Sequence, residues 1–186
     1  LSTDVVILPE MFTTGFSMNP RECAEAWDGV TREWMGHWSK RLDAVVMGSI
    51  PVKLEESFLN RAVIAFPDGK FLHYDKRHLF RMGGEHQRYS SGRDRVGFSW
   101  LGWNIRPVIC YDLRFPVWMR NDSGYDLLAV MANWPVKRRH VWNTLLAARA
   151  IENQAYAVGG NRIGVDGNAL KYSGDTAIYD FEGFPL

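Results

Sequence analysis

The sequence has few cysteines, little net charge and no long apolar run, and each of these absences excludes a class of protein. Its two cysteines, Cys23 and Cys110, are too few for a disulfide framework and favour a reducing, cytoplasmic location. The net charge of +1 gives no argument for nucleic acid or a membrane surface as a partner. Apolar runs such as residues 62–66 are far shorter than a membrane span.

What is present is the composition of an ordinary folded domain. The chain has 186 residues, of which 46% are hydrophobic, and this is enough for one domain with a substantial core. It opens directly on an apolar, strand-like run and stops just after a turn-like segment. We therefore expect a single domain, residues 1–186, that lacks the N-terminal strand and helix and the C-terminal segment of a longer chain.

Short apolar runs alternate with amphipathic segments, which is typical of an α/β fold with helices outside a sheet. Strands are predicted at residues 5–8, 44–47, 58–66, 71–74, 96–101, 104–110, 126–132 and 156–158. Gly48 and Gly159 mark two strand ends, and Pro67 to Lys70 mark a hairpin turn. The segment from residue 162 to 175 is predicted to be a glycine-rich loop.

Two helices are predicted from apolar residues that recur every three or four positions. The first covers residues 31–42, with Thr31 as N-cap and with Trp34, Trp38 and Leu42 on one face. The second covers residues 137–155, and its apolar positions are Val141, Leu145, Ala148, Ile151 and Ala155.

The segment around Cys110 is predicted to be a strand, a sharp turn and a helix. An apolar run ends at Cys110, and Pro116 suits the first position of a following helix. A thiol at a strand's carboxyl end and near a helix start lies where α/β proteins place active sites, although a lone cysteine is more often a buried apolar residue. Glu10 and Lys76 also follow predicted strands, so the three side chains are predicted to meet at one sheet edge.

Three segments of the chain resemble the signature segments of the nitrilase superfamily of carbon–nitrogen hydrolases. They are Leu8-Pro9-Glu10-Met11-Phe12-Thr13-Thr14-Gly15-Phe16, Tyr74-Asp75-Lys76-Arg77-His78-Leu79-Phe80 and Ile109-Cys110-Tyr111-Asp112-Leu113-Arg114-Phe115-Pro116. They occur in the family's order, which makes the set much more specific than any one segment. Residues 133–135 and 147–155 are most similar to the ω-amidase branch, which deamidates 2-oxo acid amides.

The resemblance implies an α-β-β-α sandwich of the nitrilase type and a Glu-Lys-Cys triad at Glu10, Lys76 and Cys110. It also implies a second glutamate after the lysine, for which Glu85 is the best match; the alternative is a loop carboxylate near Arg81 or Arg88. In this scheme Glu10 takes the thiol proton and Cys110 forms a thioester. The oxyanion donors are Lys76 and the backbone N–H of Tyr111.

A 2-oxo acid amide carries a carboxylate, so we expect a cation in its pocket. The candidate substrate-binding residues are Phe16, Arg114, Trp134 and Arg138. Arg114 has an alternative role as a structural partner of Asp112, and the aromatic residues have an alternative role as core. Lys137, Arg139 and Arg162 are further available cations.

The resulting hypothesis is a thiol amidohydrolase that acts on the ω-amide of 2-oxoglutaramate or 2-oxosuccinamate. One alternative is a related amidase for N-carbamoyl or acyl amides, and another is a catalytically idle binding or assembly subunit. The scheme needs an amide and water, no metal and no organic cofactor. The resemblance also implies a homodimer.

Overall fold

The computed structural model describes residues 3–186, which form two compact units, the first ending at Arg95 and the second covering Val96–Leu186. The single domain predicted over residues 1–186 stays a prediction, and its first two residues lie outside the described part. Among the described residues, no helix is long and apolar enough to cross a membrane.

The first unit contains one mixed sheet and two helices. Its elements are β1 (Val5–Ile7), α1 (Pro20–Cys23), α2 (Val30–Leu42), β2 (Val45–Leu54), β3 (Ser57–Ala65) and β4 (Phe71–Asp75). The strands lie in the order β1-β2-β3-β4; β1 and β2 are parallel, and the other pairs are antiparallel. The hairpin predicted around residues 67–70 is confirmed as the β3–β4 pair.

The end that was predicted for the second strand is wrong, because β2 continues through Gly48 and Ser49 to Leu54. A Cβ atom on Gly48 would lie 2.8 Å from the Cβ of Leu8 and 2.9 Å from the ring of Phe12. Gly48 therefore marks a close approach of the segment that carries Glu10, and not a strand end.

Helix α2 is found where it was predicted, and Trp38 of the predicted stripe packs, partly buried, against the core. The most buried positions of the helix nevertheless lie outside that stripe. Thr31, Met35 and Ser39 are buried, whereas Trp34 is 46% exposed. The predicted N-cap is also wrong: Gly29 occupies that position, and the N–H of Thr31 donates to the Glu25 carboxylate at 2.9 Å. A carboxylate from outside the helix thus takes the place of the predicted cap.

The second unit contains a five-stranded sheet and a separate hairpin. Its elements are β5 (Phe98–Trp100), β6 (Trp103–Ile109), α3 (Pro116–Met119), β7 (Leu127–Ala132), α4 (Arg139–Asn153), β8 (Tyr156–Asn161), β9 (Ile163–Val165), β10 (Lys171–Ser173) and β11 (Ala177–Tyr179). The sheet order is β11-β8-β7-β6-β5, in which β6, β7 and β8 are parallel. The segment predicted to be a glycine-rich loop contains the β9–β10 hairpin.

The parallel strands bring Cys110, Asn133 and Asn161 to one edge of this sheet. Cys110 follows β6, Asn133 follows β7, and Asn161 is the last residue of β8. Strand β8 runs through Gly159, although the sequence pattern predicts that it ends there. A Cβ there would lie 2.4 Å from the ring of Trp142, so only glycine lets α4 pack this closely.

Helix α4 also buries a face other than the predicted one. Its buried residues are Trp142, Leu146, Arg149, Ala150 and Asn153, whereas Ile151 from the predicted stripe is 54% exposed.

Candidate active site

Three of the predicted site residues form one buried cluster in the first unit. Lys76 Nζ lies 2.7 Å from Glu10 Oε1, and it lies 3.1 and 2.9 Å from the two carboxylate oxygens of Glu85. Glu10 and Glu85 have no exposed surface, and Lys76 is 1% exposed. Because isolated buried charges are very costly, one ammonium between two carboxylates is the arrangement expected of groups kept for their chemistry.

The backbone around Lys76 is held on both sides. Its N–H donates to the carbonyl of Asn60 at 3.0 Å, and its carbonyl accepts from the N–H of Gly92 at 2.9 Å. A Cβ on Gly92 would lie 2.1 Å from the carbonyl oxygen of Asp75, so a side chain is excluded at this position. The lysine that follows β4 is therefore fixed by its neighbours in the fold.

Glu85 occupies a short 3₁₀ turn, Glu85–Gln87, and its side chain turns inward. In addition to Lys76, its carboxylate accepts the backbone N–H of Phe80 at 2.6 Å. The alternative of a loop carboxylate that pairs with Arg81 or Arg88 is not what the structure shows, because Glu85 is buried and bonded to Lys76.

Two residues of this cluster, Asn60 and Ser49, are not identified by the sequence analysis. Asn60 Nδ2 lies 2.9 Å from Glu10 Oε1 and 3.0 Å from Glu85 Oε1, and Ser49 Oγ donates to Asn60 Oδ1 at 2.9 Å. Both side chains are fully buried. The signal that could have identified Asn60 is an amide within an apolar strand, since such a group must find a hydrogen-bond partner.

Phe16 lies beside this cluster, with its ring centroid 5.3 Å from Lys76 Nζ. The loop that carries it is held by Tyr89, whose hydroxyl donates to the carbonyl of Ser17 at 2.8 Å. Burial raises the pKa of Tyr89, and the carboxylates of Glu85 and Glu10 add to this effect, so the hydroxyl stays protonated as a donor. The structure thus places the Phe16 ring next to the ammonium of Lys76; its role as a pocket wall stays a prediction.

Cys110 belongs to the second unit, and it lies at a strained turn. It follows β6 directly, has a φ of +45° and begins a 3₁₀ turn, Cys110–Arg114. Such a backbone costs a residue other than glycine about 1–2 kcal/mol. The Asp112 carboxylate accepts the N–H of Ile109 at 3.1 Å, and Arg149 donates twice to the Leu113 carbonyl, at 3.1 and 2.9 Å. The predicted strand, turn and helix are confirmed, since α3 begins at Pro116.

The predicted substrate-binding residues of the second unit meet at Trp134. The guanidinium of Arg114 lies 5.2 Å from the centroid of the Trp134 ring, and the indole N–H donates to the carbonyl of Arg138 at 2.9 Å. The side chain of Asn161 binds both the N–H and the carbonyl of Trp134, at 2.7 and 3.0 Å. Tyr111 lies in the cysteine turn and packs edge-on against Phe115 at 5.3 Å.

Neither Cys23 nor Cys110 forms a disulfide, and Cys110 is 8% exposed. Within residues 3–186, no group of three or more histidine, cysteine, aspartate and glutamate side chains is arranged to hold a metal ion. The structure thus brings Glu10, Lys76 and Glu85 together in the first unit. That Cys110 acts with them stays a prediction.

Comparison with known proteins gives the same family that the sequence segments indicate. The profile of the carbon–nitrogen hydrolase family matches residues 2–185. The chain is 53% identical over 180 residues to the omega-amidase YafV of Yersinia enterocolitica, covering 97% of this chain and 70% of that protein. It is 34% identical over 182 residues to the 2-oxoglutaramate amidase of Bacillus subtilis, covering 95% and 70%.

The fold agrees with these relationships. A CN-hydrolase superfamily protein from Xanthomonas campestris, solved with an arsenic adduct in its active site, superposes with a TM-score of 0.96 at 49% identity. The alignment covers 99% of this chain and 72% of that chain. The predicted fold class, the α-β-β-α sandwich type of the nitrilase superfamily, is confirmed by this likeness. The chain belongs to the carbon–nitrogen hydrolase family of the nitrilase superfamily.

Proposed function

We propose that the chain is an ω-amidase, which hydrolyses the terminal amide of a 2-oxo dicarboxylic acid monoamide to the acid and ammonia. The observation that carries the proposal is the buried Glu10–Lys76–Glu85 cluster in a chain of the carbon–nitrogen hydrolase family. The choice of amide is supported by the relatives, which are named omega-amidase and 2-oxoglutaramate amidase.

Cys110 is the proposed nucleophile, with Glu10 as its base. Glu10 accepts the thiol proton while sulfur attacks the amide carbon, which puts negative charge on the carbonyl oxygen. The ammonium of Lys76 and the N–H of Tyr111 stabilise this oxyanion. When the C–N bond breaks, Glu10 returns the proton to the departing ammonia, and the acyl group remains on sulfur as a thioester.

Hydrolysis of the thioester uses the same residues, with water in place of the thiol as nucleophile and Cys110 as the leaving group. Glu10 deprotonates a water molecule, which attacks the acyl carbon, and the C–S bond then breaks. The proton returns to the sulfur of Cys110, so one amide and one water give one acid and one ammonia. Glu85 holds the ammonium of Lys76 in place during both the formation and the hydrolysis of the thioester.

A reactive cysteine has additional chemical support. The Xanthomonas relative carries an arsenic adduct in its active site, and soft thiolates are the side chains that bind soft elements of this kind. In this chain the strained backbone of Cys110 points to function, since strain of this type concentrates at active sites.

The substrate carboxylate is assigned to Arg114, which can form paired hydrogen bonds with it. Its guanidinium lies over the Trp134 ring, so the indole limits the directions in which it can move. Arg138 is the second candidate cation, and Phe16 and Trp134 are the proposed pocket walls. A pocket of this kind selects acidic amides over neutral ones.

The decisive experiment compares the chain with its Cys110→Ala variant. Ammonia release is measured with 2-oxoglutaramate, 2-oxosuccinamate, glutamine, an N-carbamoyl amino acid and a neutral acyl amide. Circular dichroism checks that the variant is folded. We expect release from the two 2-oxo amides and none in the variant. Full activity in the variant would exclude Cys110, and release from N-carbamoyl or neutral amides alone would favour the alternative amidase.

Intact-mass analysis separates an enzyme from an idle binding subunit. A brief reaction with a 2-oxo amide should leave an acyl adduct on Cys110, whereas an idle subunit forms none. We also propose a homodimer, which light scattering tests, and a cytoplasmic location, which the absence of a disulfide between Cys23 and Cys110 supports.

A further inference from the structure

Asn60 is the neutral member of an otherwise charged cluster. It lies in β3, its side chain is fully buried, and its Nδ2 atom lies within 3.0 Å of Oε1 of both glutamates. These two oxygen atoms are also contacted by Lys76 Nζ, at 2.7 Å for Glu10 and 3.1 Å for Glu85. The amide and the ammonium therefore hold the same pair of oxygen atoms.

A chain of hydrogen bonds sets the orientation of the amide. The backbone N–H of Met11 donates to Ser49 Oγ at 2.9 Å, so the hydroxyl proton is directed elsewhere, to Asn60 Oδ1, also at 2.9 Å. With its oxygen occupied, Asn60 must turn its N–H groups toward the carboxylates. The chain of bonds starts at the residue that follows Glu10 and returns to Glu10 itself.

The same contacts hold the segment that carries Glu10. Met11 has a φ of +41°, an unfavourable value for this residue type, and it is fully buried. The N–H of Phe12 donates to the Ser49 carbonyl at 3.1 Å, so Ser49 binds two consecutive backbone groups there. The backbone and the carboxylate of this segment are thus tied to one structure.

We propose that Asn60 is a positioning residue of the reaction, which holds Glu10 in the orientation and ionised form needed to accept the thiol proton, with Ser49 fixing the amide. The role of Glu10 as base rests on the proposed function. A hydrogen bond donated to a carboxylate favours its charged form, and a buried amide supplies that bond without adding a second cation. Loss of the amide should therefore favour protonation of Glu10.

Asn60→Leu, which keeps the size of the side chain, and Asn60→Asp, which adds a negative charge, test this role. The pH dependence of kcat/KM is measured with a 2-oxo amide. Without the Asn60 N–H donor, Glu10 binds its proton at higher pH. The acidic limb of the kcat/KM profile, where activity is lost as the pH falls, should therefore move upward by about one pH unit. We expect kcat to fall about 10- to 100-fold while KM changes less than about threefold. An acidic limb at the wild-type position in both variants would overturn the proposal.

Asn153→Leu is the matched control, because it removes another buried, hydrogen-bonded amide. Asn153 lies in α4, donates to the Arg149 carbonyl at 2.9 Å and accepts from the N–H of Asn121 at 2.8 Å. This variant should lose stability and leave the acidic limb in place. A shift of the same size here would mean that lost stability moves the limb, and it would contradict the role of Asn60.

Ser49→Ala keeps the test decisive if the Asn60 variants do not fold. It leaves the amide present but free to rotate, so the acidic limb should move in the same direction by less. In Asn60→Leu/Ser49→Ala the limb should lie where it lies in Asn60→Leu alone, because Ser49 acts through Asn60. If the acidic limb of a folded Ser49→Ala protein stays at the wild-type position, the proposed action of Ser49 through Asn60 is wrong.

A substrate-free measurement separates failure of this inference from failure of the proposed function. NMR titration of the Glu10 carboxyl carbon, assigned with Glu10→Gln, reports its protonation directly in the wild type and in Ser49→Ala. If the wild type releases no ammonia from any amide, the proposed function fails and the titration still decides on Asn60. If the titration curves coincide in an active enzyme, the inference alone fails.

Discussion

Lys76 Nζ lies 2.7 Å from Glu10 Oε1, although 66 residues separate the two positions in the chain. Glu85 binds the same nitrogen, and none of the three side chains has more than 1% of its surface exposed. Two buried carboxylates thus share one buried cation. Removal of that cation leaves charges that neither solvent nor salt can screen.

Lys76→Met should therefore cost about 3–5 kcal/mol in the free energy of unfolding at pH 8, the range for a buried ion pair that loses one partner. Urea unfolding of the wild type and the variant at this pH measures the loss. Ammonia release from 2-oxoglutaramate should be abolished.

Lys70→Met provides the control for this substitution. Lys70 pairs with Asp68 at 2.8 Å, but the two side chains are 82% and 52% exposed. Water solvates both groups, so the free energy of unfolding should stay unchanged within error. If Lys70→Met and Lys76→Met lose the same free energy of unfolding, burial of the ion pair does not determine the loss.

Gly92→Ala tests whether the loop at Gly92 must lie in close contact with the Asp75 backbone. The added Cβ would lie 2.1 Å from the Asp75 carbonyl, and backbone cannot move aside as a flexible side chain does. We expect a loss of about 1–3 kcal/mol and at least a tenfold loss of kcat, because the N–H of Gly92 also binds the Lys76 carbonyl. Thermal unfolding and ammonia release measure the two effects.

Gly167→Ala is the matched control, since a Cβ at that position would meet no atom within 4 Å. Its stability and kcat should equal those of the wild type. A wild-type kcat in Gly92→Ala would show that the position of Lys76 does not depend on this contact.

Most elements could be predicted from the sequence, because they depend on local pattern. Apolar runs and strand-end residues predicted β1, β3, β4, β6 and β7 to within a few positions. Glu10 and Lys76 follow predicted strands, whereas Glu85 was identified through the family resemblance. Their mutual contact depends on strand pairing, which brings residues that are 66 apart in the chain within hydrogen-bond distance.

The failures concern contacts that local pattern does not contain. Gly48 and Gly159 were assigned as strand ends, but each lies inside a strand where another segment packs too closely for a side chain. In α2 and α4 the most buried positions lie outside the predicted apolar stripes, since Trp34 and Ile151 are exposed while Ser39 and Asn153 are buried. Trp38 is the residue of the α2 stripe that packs against the core. The Ser39 hydroxyl lies 2.6 Å from the Ala44 carbonyl oxygen and 2.9 Å from that of Ala65, and its single proton is shared between them. The burial of Ser39 therefore depends on hydrogen bonding and not on hydrophobicity.

Arg114→Gln tests the assignment of the substrate carboxylate. A charged hydrogen bond contributes about 1.5–3 kcal/mol, so the KM for 2-oxoglutaramate should rise about 10- to 100-fold. The kcat/KM for a neutral acyl amide should stay unchanged, because that substrate has no carboxylate to bind. Steady-state kinetics with both substrates measures the difference.

Arg138→Gln is the parallel variant, because its guanidinium is the other candidate. If the KM rises in Arg138→Gln and stays at the wild-type value in Arg114→Gln, the assignment is wrong. An equal loss with the neutral amide would instead indicate that the Arg114 variant disturbs Trp134, whose ring lies 5.2 Å from the guanidinium.

His73 on β4 gives the stability of the first unit a predictable pH dependence. Partial burial and the positive charge of Arg61 lower its pKa, against a smaller opposing effect of Asp75 and Asp94. Its ring packs edge-on against Trp27 at 5.3 Å. The unfolded chain therefore binds the proton more readily than the folded chain, and stability is lost as the pH falls from about 6.5 toward the lower pKa of the folded chain.

His73→Gln removes this proton while it keeps a polar side chain of similar size. Between pH 7.5 and 5.5, the Tm of the variant should fall less steeply than that of the wild type. At pH 8 the histidine is neutral in the folded and unfolded chains, so any difference in Tm there reports packing against Trp27 alone. Parallel slopes in thermal unfolding across this range would show that protonation of His73 does not contribute to the acid sensitivity of the protein.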